Sequence, residues 1–587
     1  MLKLLKNLNK RDYIYVFISA GLIVFQVWLE LKMPDYMSNI TQLVQTRGAS
    51  INDILREGSY MLLCAFGSLV SAFIVGYFTS TIAASFSYRT RGKLFRKVED
   101  ISTFEVKKFS PSSLITRTTN DITQIEFLIA MGLTLMIKAP ITAVWAVTKI
   151  LNKNIEWSIL TGVAVLVLLI TIGIIMMIVM PKFKIVQELM DKINMVMREN
   201  LSGIRVVRAF NAEKYQEDKF ENVNNTLTNQ QVFNQKAFNF LSPVMYLVMY
   251  FLTLGIYFIG AMLINEANMG DKIVLFGNMI VFSSYAMQVI MSFLMLAMIF
   301  MMLPRASVSA KRINEVLDTP ISVKEGNVTM NNSDIKGCVE FKNVSFKYPD
   351  ADEYVLEDIS FKVNKGETIA FIGSTGSGKS TLINLIPRFY DATSGEILIN
   401  GIDVRDYSFE YLNNIIGYVP QKATLFSGDI LSNVSFGNNI DGKPSNKKIA
   451  DALRVSQASE FVSKLEDGEK SHIAQGGTNI SGGQKQRLSI ARTIARNPEI
   501  YIFDDSFSAL DYKTDSTLRR ELREYTKDAT VMIVAQRIGT ILNADKIVVL
   551  DNGKCVGVGT HNELMKKCKV YKEIALSQVS KEELENV

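Results

Sequence analysis

Cysteine is scarce in this chain, and the little there is points away from both metal and disulfide chemistry. Cys64, Cys338, Cys555 and Cys568 are scattered, with no CxxC pair and no metal-ligand spacing. No disulfide framework is implied, and a reduced, cytosol-facing location fits them. Histidine is scarcer still, with only His472 and His561. Charged residues make up only 21% of the sequence. No stretch interleaves basic and aromatic residues, so the net charge of +6 does not read as a nucleic-acid face. No small-residue cleavage site follows the first apolar run, which is also too long for a signal core; it reads as a span that is kept.

Long apolar runs are abundant. The 587 residues exceed one domain, and the composition changes along them: apolar runs dominate up to about residue 304, whereas an ordinary α/β pattern follows residue 335. A membrane helix needs about 20 mostly apolar residues. Stretches almost free of charge occur at 13–29, 58–88, 127–148 (interrupted by Lys138), 157–181, 237–265 and 273–304, giving six spans, with Trp28 and Trp157 near span ends. Residues 1–12 and the loops 89–126 and 182–236 together hold 21 Lys and Arg, against 6 in the other three loops. The basic segments should face the cytoplasm. The two long basic loops keep helical composition and read as helices running on past the membrane, with a break within Phe109–Asp121. Residues 1–11 alternate Leu with Lys, as an interfacial amphipathic helix would.

In the polar half, the β-prone run Glu367–Ile372 leads into Gly373, Ser374, Thr375, Gly376, Ser377, Gly378, Lys379 and Ser380, followed by a helical run from Thr381. This G-x-x-x-x-G-K-[ST] pattern between strand and helix curls backbone N–H groups around phosphate oxygens. Lys379 should reach the β- and γ-phosphates of ATP, and Ser380 should ligate Mg²⁺. A second apolar run, Ile500–Phe503, ends in Asp504, the acid expected to complete the Mg²⁺ environment. Between them lies Ile480–Gln484 (ISGGQ), then a helix bearing Arg487, Arg492 and Arg496, a further Gly-rich loop and helix that could serve a second phosphate.

The phosphate loop and ISGGQ, in this order and spacing, resemble the nucleotide-binding domain of ABC transporters, and the first ~320 residues resemble the six-helix membrane domain of ABC exporters. The resemblance implies a multi-domain membrane protein: an all-α transmembrane domain over 1–320, a linker over 321–335, and over 336–587 an α/β P-loop domain with a helical subdomain. It also implies roles residue by residue. Tyr348 matches the aromatic that stacks on adenine. Gln421, in YVPQ, matches the glutamine linking the Mg²⁺ site to the membrane helices. Ser481, Gly482, Gly483 and Gln484 match the signature that contacts ATP bound by the opposite subunit. Ser508–Asp511 matches the loop crossing between subunits, and Glu199–Phe210 a cytoplasmic loop tip that docks on the partner.

Two departures fall on the hydrolytic machinery. Asp505 stands where the family has Glu, and Gln536 where it has His. The family's Glu polarises the attacking water, and Asp holds its carboxylate about 1.5 Å further back. Gln536 hydrogen-bonds but carries no positive charge. Neither His561, in GTHNEL, nor His472 fills that place by position. Gln475, where exporters often have Glu, is a lesser change. With catalytic residues Asp505, Gln536 and Gln421 forming a weakened set, and an intact signature, the chain is expected to work with a second, different ABC half-transporter; a slow homodimer is the alternative. Its expected activity is ATP-driven, multidrug-type export of hydrophobic or amphipathic compounds across the membrane; a lipid or peptide exporter, or a non-transporting ATP-gated channel or regulator on the same fold, are the other readings. The half-size format favours a bacterial inner membrane, with the N-terminus and ATP domain cytoplasmic. Lys138 is a candidate for substrate contact as an intramembrane charge, or a lysine facing an inter-helix seam. Met287, Met291, Met295, Met298 and Met302 share one helical face, as cavity lining or as ordinary packing.

Overall fold

A computed structural model describes residues 2–46, 50–151, 155–331, 335–437 and 442–578. The chain forms two compact units, Met1–Val98 with Ser110–Thr319, and Glu99–Phe109 with Pro320–Val587.

The first unit is built on six long helices: α1 (Lys10–Gln45), α2 (Ile51–Asp100), α3 (Pro111–Leu151), α4 (Ile155–Ser202), α5 (Glu213–Glu266) and α6 (Met269–Leu317). All six are long and apolar enough to cross a membrane. A helix satisfies its own backbone hydrogen bonds, which hydrocarbon cannot do. With 54 residues α5 is about 80 Å long at 1.5 Å per residue, so it runs far past a hydrocarbon core of ~30 Å. Ile23, Val27, Val248, Phe282 and Val289 are among the buried side chains between the helices. Trp157 is fully buried against Phe282, ring centroids 5.2 Å apart, so it is a core side chain and not an interfacial anchor.

Lys138 lies on an inter-helix seam. Its Nζ donates to Glu30 Oε1 at 2.8 Å, and the same oxygen accepts from Gln26 at 2.9 Å and Ser68 at 3.2 Å, tying α1, α2 and α3 together. Glu30 follows directly on the first charge-free run. A second pair, Lys149 with Asp35 at 3.0 Å, is joined by the Tyr285 hydroxyl at 2.8 Å. Pairing removes most of the cost of placing these charges among apolar helices.

Local differences from expectation have local causes. The first loop turns at 101–110, just before most of Phe109–Asp121: Ser110 caps α3 by accepting from Ser113 N, and Pro111 takes the first helical position, so both signals mark a helix start. Among the described residues, 2–11 do not form one helix. A turn at Leu2–Leu5 ends, and α1 begins anew behind an Asn9–Asp12 capping box.

The second unit carries a ten-stranded mixed sheet. The strands are β1 (Val339–Phe346), β2 (Leu356–Val363), β3 (Thr368–Gly373), β4 (Ser394–Ile399), β5 (Ile402–Asp403), β6 (Ile416–Val419), β7 (Ile500–Asp504), β8 (Thr530–Val534), β9 (Lys546–Asp551) and β10 (Lys554–Gly559). Their spatial order is β5-β4-β1-β2-β10-β9-β3-β8-β7-β6. The run β9-β3-β8-β7-β6 is parallel, and β3, β7 and β8 are nearly continuous apolar runs, as a strand covered on both faces must be. The helix Thr103–Lys108 belongs with this unit because Phe104 packs on its core and Lys107 Nζ donates to the Tyr390 hydroxyl at 3.3 Å. Part of the stretch expected as a linker is also held here: Gly326 N and Val328 N donate to the Tyr407 and Asp406 carbonyls at 3.0 and 2.8 Å. Residues 332–334 of that stretch lie outside the described residues.

Candidate nucleotide site

Strand β3 ends at Gly373, and α7 (Lys379–Leu385) begins six residues on, so the phosphate loop bridges a buried strand and a helix start. Gly373 is irreplaceable on geometry, since an added Cβ would lie 2.1 Å from the Leu550 carbonyl oxygen. Gly376 and Gly378 have φ of +86° and +93°, which glycine alone adopts freely. Ser374, Thr375 and Gly376 are exposed, while Ser377 is buried beneath them. Lys379 Nζ donates to the Gly373 and Ser374 carbonyls at 2.9 and 2.7 Å. Burial pushes its pKa down, against the opposing pull of Asp505 and Asp504. Neutral carbonyls are weaker partners for an ammonium than phosphate oxygens. Tyr348 hydroxyl lies 3.1 Å from Thr381 Oγ1, which ties the aromatic of VSFKYP to the helix carrying Lys379.

The parallel neighbours of β3 deliver the acids. Asp504 closes β7 and accepts from Ser380 Oγ at 3.1 Å. Its burial raises its pKa, countered by the hydrogen bonds from Ser380 and Tyr418. Asp505 follows at φ +47°, its N–H donating to the Val534 carbonyl at 3.0 Å. Its Oδ2 accepts two amide hydrogens, from Gln421 at 3.1 Å and from Gln536 at 2.7 Å. The residues expected as a weakened catalytic set therefore meet at one carboxylate oxygen.

The signature is built separately. Ser481 caps α8 (Gly482–Arg496) through a reciprocal box: its Oγ accepts from Gln484 N at 3.3 Å, and Gln484 Oε1 accepts from Ser481 N at 2.9 Å. Ser481 and Gly482 are exposed, and a Cβ on Gly483 would meet the Ala509 carbonyl at 3.3 Å. Among the described residues no hydrogen bond links Ser481–Gln484 to the phosphate loop, so the two halves of the predicted ATP contact stand apart within one chain. The arginines of α8 hold structure. Arg487 donates to the Gln457 carbonyl at 2.8 Å, and Arg492 donates to the Asn433 and Thr424 carbonyls while its guanidinium lies 5.7 and 5.3 Å from the ring centres of the stacked pair Phe426 and Phe436. Burial lowers the pKa of Arg492 to about 10. His561 is likewise structural, buried with Nδ1 2.7 Å from the Tyr571 hydroxyl.

Three contributors had no motif to mark them. Tyr418 hydroxyl lies 3.4 Å from Asp504 Oδ2 and 3.1 Å from Asn384 Oδ1; only its place before YVPQ hints at this. Gln486, two residues past the signature, donates to the Pro420 carbonyl at 3.2 Å, beside Gln421. Gln578, at the end of α9 (Lys569–Gln578), donates to the Gln536 carbonyl and accepts from Ile538 N, both at 2.8 Å, and so brackets the loop that aims Gln536.

Comparison with known proteins agrees with this geometry. Residues 15–303 match the family model for the ABC transporter transmembrane region, and residues 356–508 that for ABC transporter. An uncharacterized ABC transporter ATP-binding protein of Mycobacterium tuberculosis is 40% identical, over 92% of this chain and 93% of its own. A Bacillus subtilis protein provisionally named multidrug export ATP-binding/permease protein is 32% identical, covering 85% and 84%. An ATP-dependent lipid A-core flippase of Pseudomonas fluorescens is 31% identical, covering 86% and 82%. Among solved structures, a bacterial Atm1-family ABC exporter with ATP bound shares the fold at a TM-score of 0.82 and 23% identity, over 98% of this chain and all of that one. The chain belongs to the ABC transporter family, as an exporter half-transporter: a multi-pass membrane protein whose fused nucleotide-binding domain is an ATPase coupled to transport.

Proposed function

We propose that this chain exports hydrophobic or amphipathic compounds from a bacterial inner membrane, as one subunit of a heterodimer whose ATP site on this chain is slow. The observation that carries the reading is Asp505 Oδ2, which is occupied by the Gln421 and Gln536 amides at 3.1 and 2.7 Å. A base for water must aim a lone pair in line with the γ-phosphorus, and two amides on one oxygen fix the direction in which this carboxylate faces. Here a short carboxylate is held by two neutral donors, and no charged group stands at 536 to stabilise the transferring phosphoryl.

Binding is well provided for. The N–H groups of 373–380 and Lys379 would hold the β- and γ-phosphates, and Tyr348 the adenine. The residues fit Mg²⁺: Ser380, Gln421 and Asp504 offer oxygen donors, and among the described residues no cluster of three or more His, Cys, Asp or Glu competes. Mg²⁺ usually takes a few protein oxygens plus substrate phosphates, where it offsets their charge. Ser481, Gly482, Gly483 and Gln484, with Ser481 and Gly482 exposed at the start of α8, would complete the partner's site. Two ATP would then draw the two domains together and open the spans outward, and hydrolysis at the partner's phosphate loop would reset them. The excess of Lys and Arg in the basic loops supports a cytoplasmic ATP domain.

The relative named for multidrug export supports small amphipathic substrates; the lipid A-core flippase keeps lipid export as the second reading. The purified transporter in proteoliposomes distinguishes them. Several unrelated hydrophobic cations should each stimulate ATPase activity and be accumulated. Stimulation by one lipid class alone would replace the reading with lipid export, and ion conductance without accumulation would replace it with a channel.

A further inference from the structure

At one level of the first unit, three helices change together from apolar to charged. The charge-free run of α4 ends at Pro181, before Lys182; that of α5 begins after Lys236; that of α6 ends at Pro304, before Arg305. The levels coincide in space. The Phe183 and Phe238 rings are 6.0 Å apart, and the Arg305 guanidinium lies 5.9 Å from the Phe183 ring centre. This is where a headgroup layer meets hydrocarbon, at the leaflet where α6 leaves the membrane.

A cavity of about 540 Å³ opens here, lined by Phe183, Asn234, Phe238 and Arg305 with neighbouring glutamines. Two features of it are unusual. Arg305, in its wall, has no carboxylate within ion-pair reach among the described residues; Lys182, outside the lining, lies 4.3 Å from the Phe233 ring centre and donates to Gln230 Oε1 at 3.4 Å. Asn234 is only 7% exposed, yet its Oδ1 accepts no hydrogen bond. A buried carboxamide oxygen without a donor costs free energy that a ligand hydroxyl recovers.

We infer that this cavity binds an anionic phospholipid whose headgroup carries hydroxyls, with the phosphate at Arg305, a headgroup hydroxyl donating to Asn234 Oδ1, and the upper acyl chain against Phe183 and Phe238. The phosphate meets an unneutralised cation. The hydroxyl satisfies the one acceptor. The aromatic rings face the depth at which a lipid's glycerol lies. The inference rests on the six spans and is independent of which compound is exported.

Native mass spectrometry of the complete transporter, released from nanodiscs containing phosphatidylglycerol and phosphatidylcholine together, tests it. The wild-type transporter should carry phosphatidylglycerol in preference to phosphatidylcholine. Arg305→Gln should cut that retention about fivefold, the worth of one cation near an anionic surface, whereas Lys182→Gln, outside the lining, should change it less. Asn234→Leu, which needs no loss of charge, should weaken phosphatidylglycerol but leave phosphatidylmethanol unchanged, since that lipid keeps the charge and lacks the hydroxyls. Equal retention of both lipids by the wild type, or retention unaltered by Asn234→Leu and the charge variants, overturns the site. Displacement of the lipid by an excess of inorganic phosphate overturns it in favour of a simple anion site.

Discussion

Restoring both departures at once, Asp505→Glu with Gln536→His, should raise ATP hydrolysis at this chain's own site by about 10²-fold, the scale set by a misplacement of ~1 Å. Glu carries the carboxylate one methylene closer to the γ-phosphate. His removes the amide that now donates to Asp505 Oδ2 at 2.7 Å and brings a group able to hold positive charge. Either change alone should do less, because the remaining partner still engages or misplaces the carboxylate. Asp505 has φ +47°, a conformation that Asp tolerates better than Glu, so the double variant should also be slightly less stable. Its folded fraction must therefore be measured beside its rate. ATP bound as before with no gain in hydrolysis would show that Asp505 and Gln536 do not limit this site.

The second large effect is an asymmetry between two substitutions in the same chain. Gly483→Asp should abolish most hydrolysis by the assembled transporter, a loss of about 10²-fold or more, comparable to removing one transition-state donor. The new carboxylate would stand at the exposed start of α8, facing the partner's γ-phosphate. Lys379→Met should leave most of the hydrolysis intact while reducing ATP retained by this chain. In a homodimer both substitutions would disable every site, so equal losses contradict the asymmetric account. Steady-state ATPase assays with photolabelling of each subunit read both quantities.

Much of this was legible in the residues. Six runs without Asp, Glu, Lys or Arg mark six helices because charge is what hydrocarbon excludes most strongly. The phosphate loop is legible for a local reason: Gly376 and Gly378 need positive φ, and Lys379 and Ser380 sit at fixed offsets from them. What escaped was long-range. Glu30 is 108 residues from Lys138, and Gln578 is 42 from Gln536; no spacing rule joins them. Trp157 sits at a span end in sequence yet packs against Phe282 of α6. Ser110 and Pro111 signal a boundary correctly, but a cap followed by proline starts a helix, and the turn precedes it. The double engagement of Asp505 was hidden for the same reason. Gln421, Asp505 and Gln536 follow three strands, β6, β7 and β8, that become neighbours only once the sheet has formed.

The central claim is that a different subunit supplies the working site. Mass spectrometry of the tagged chain, solubilised in detergent and purified from its native host, addresses it directly. The account predicts a second ABC half-transporter in equal amount, with Glu and His at the positions matching Asp505 and Gln536. Recovery of this chain alone, as a dimer that hydrolyses ATP briskly, would contradict it.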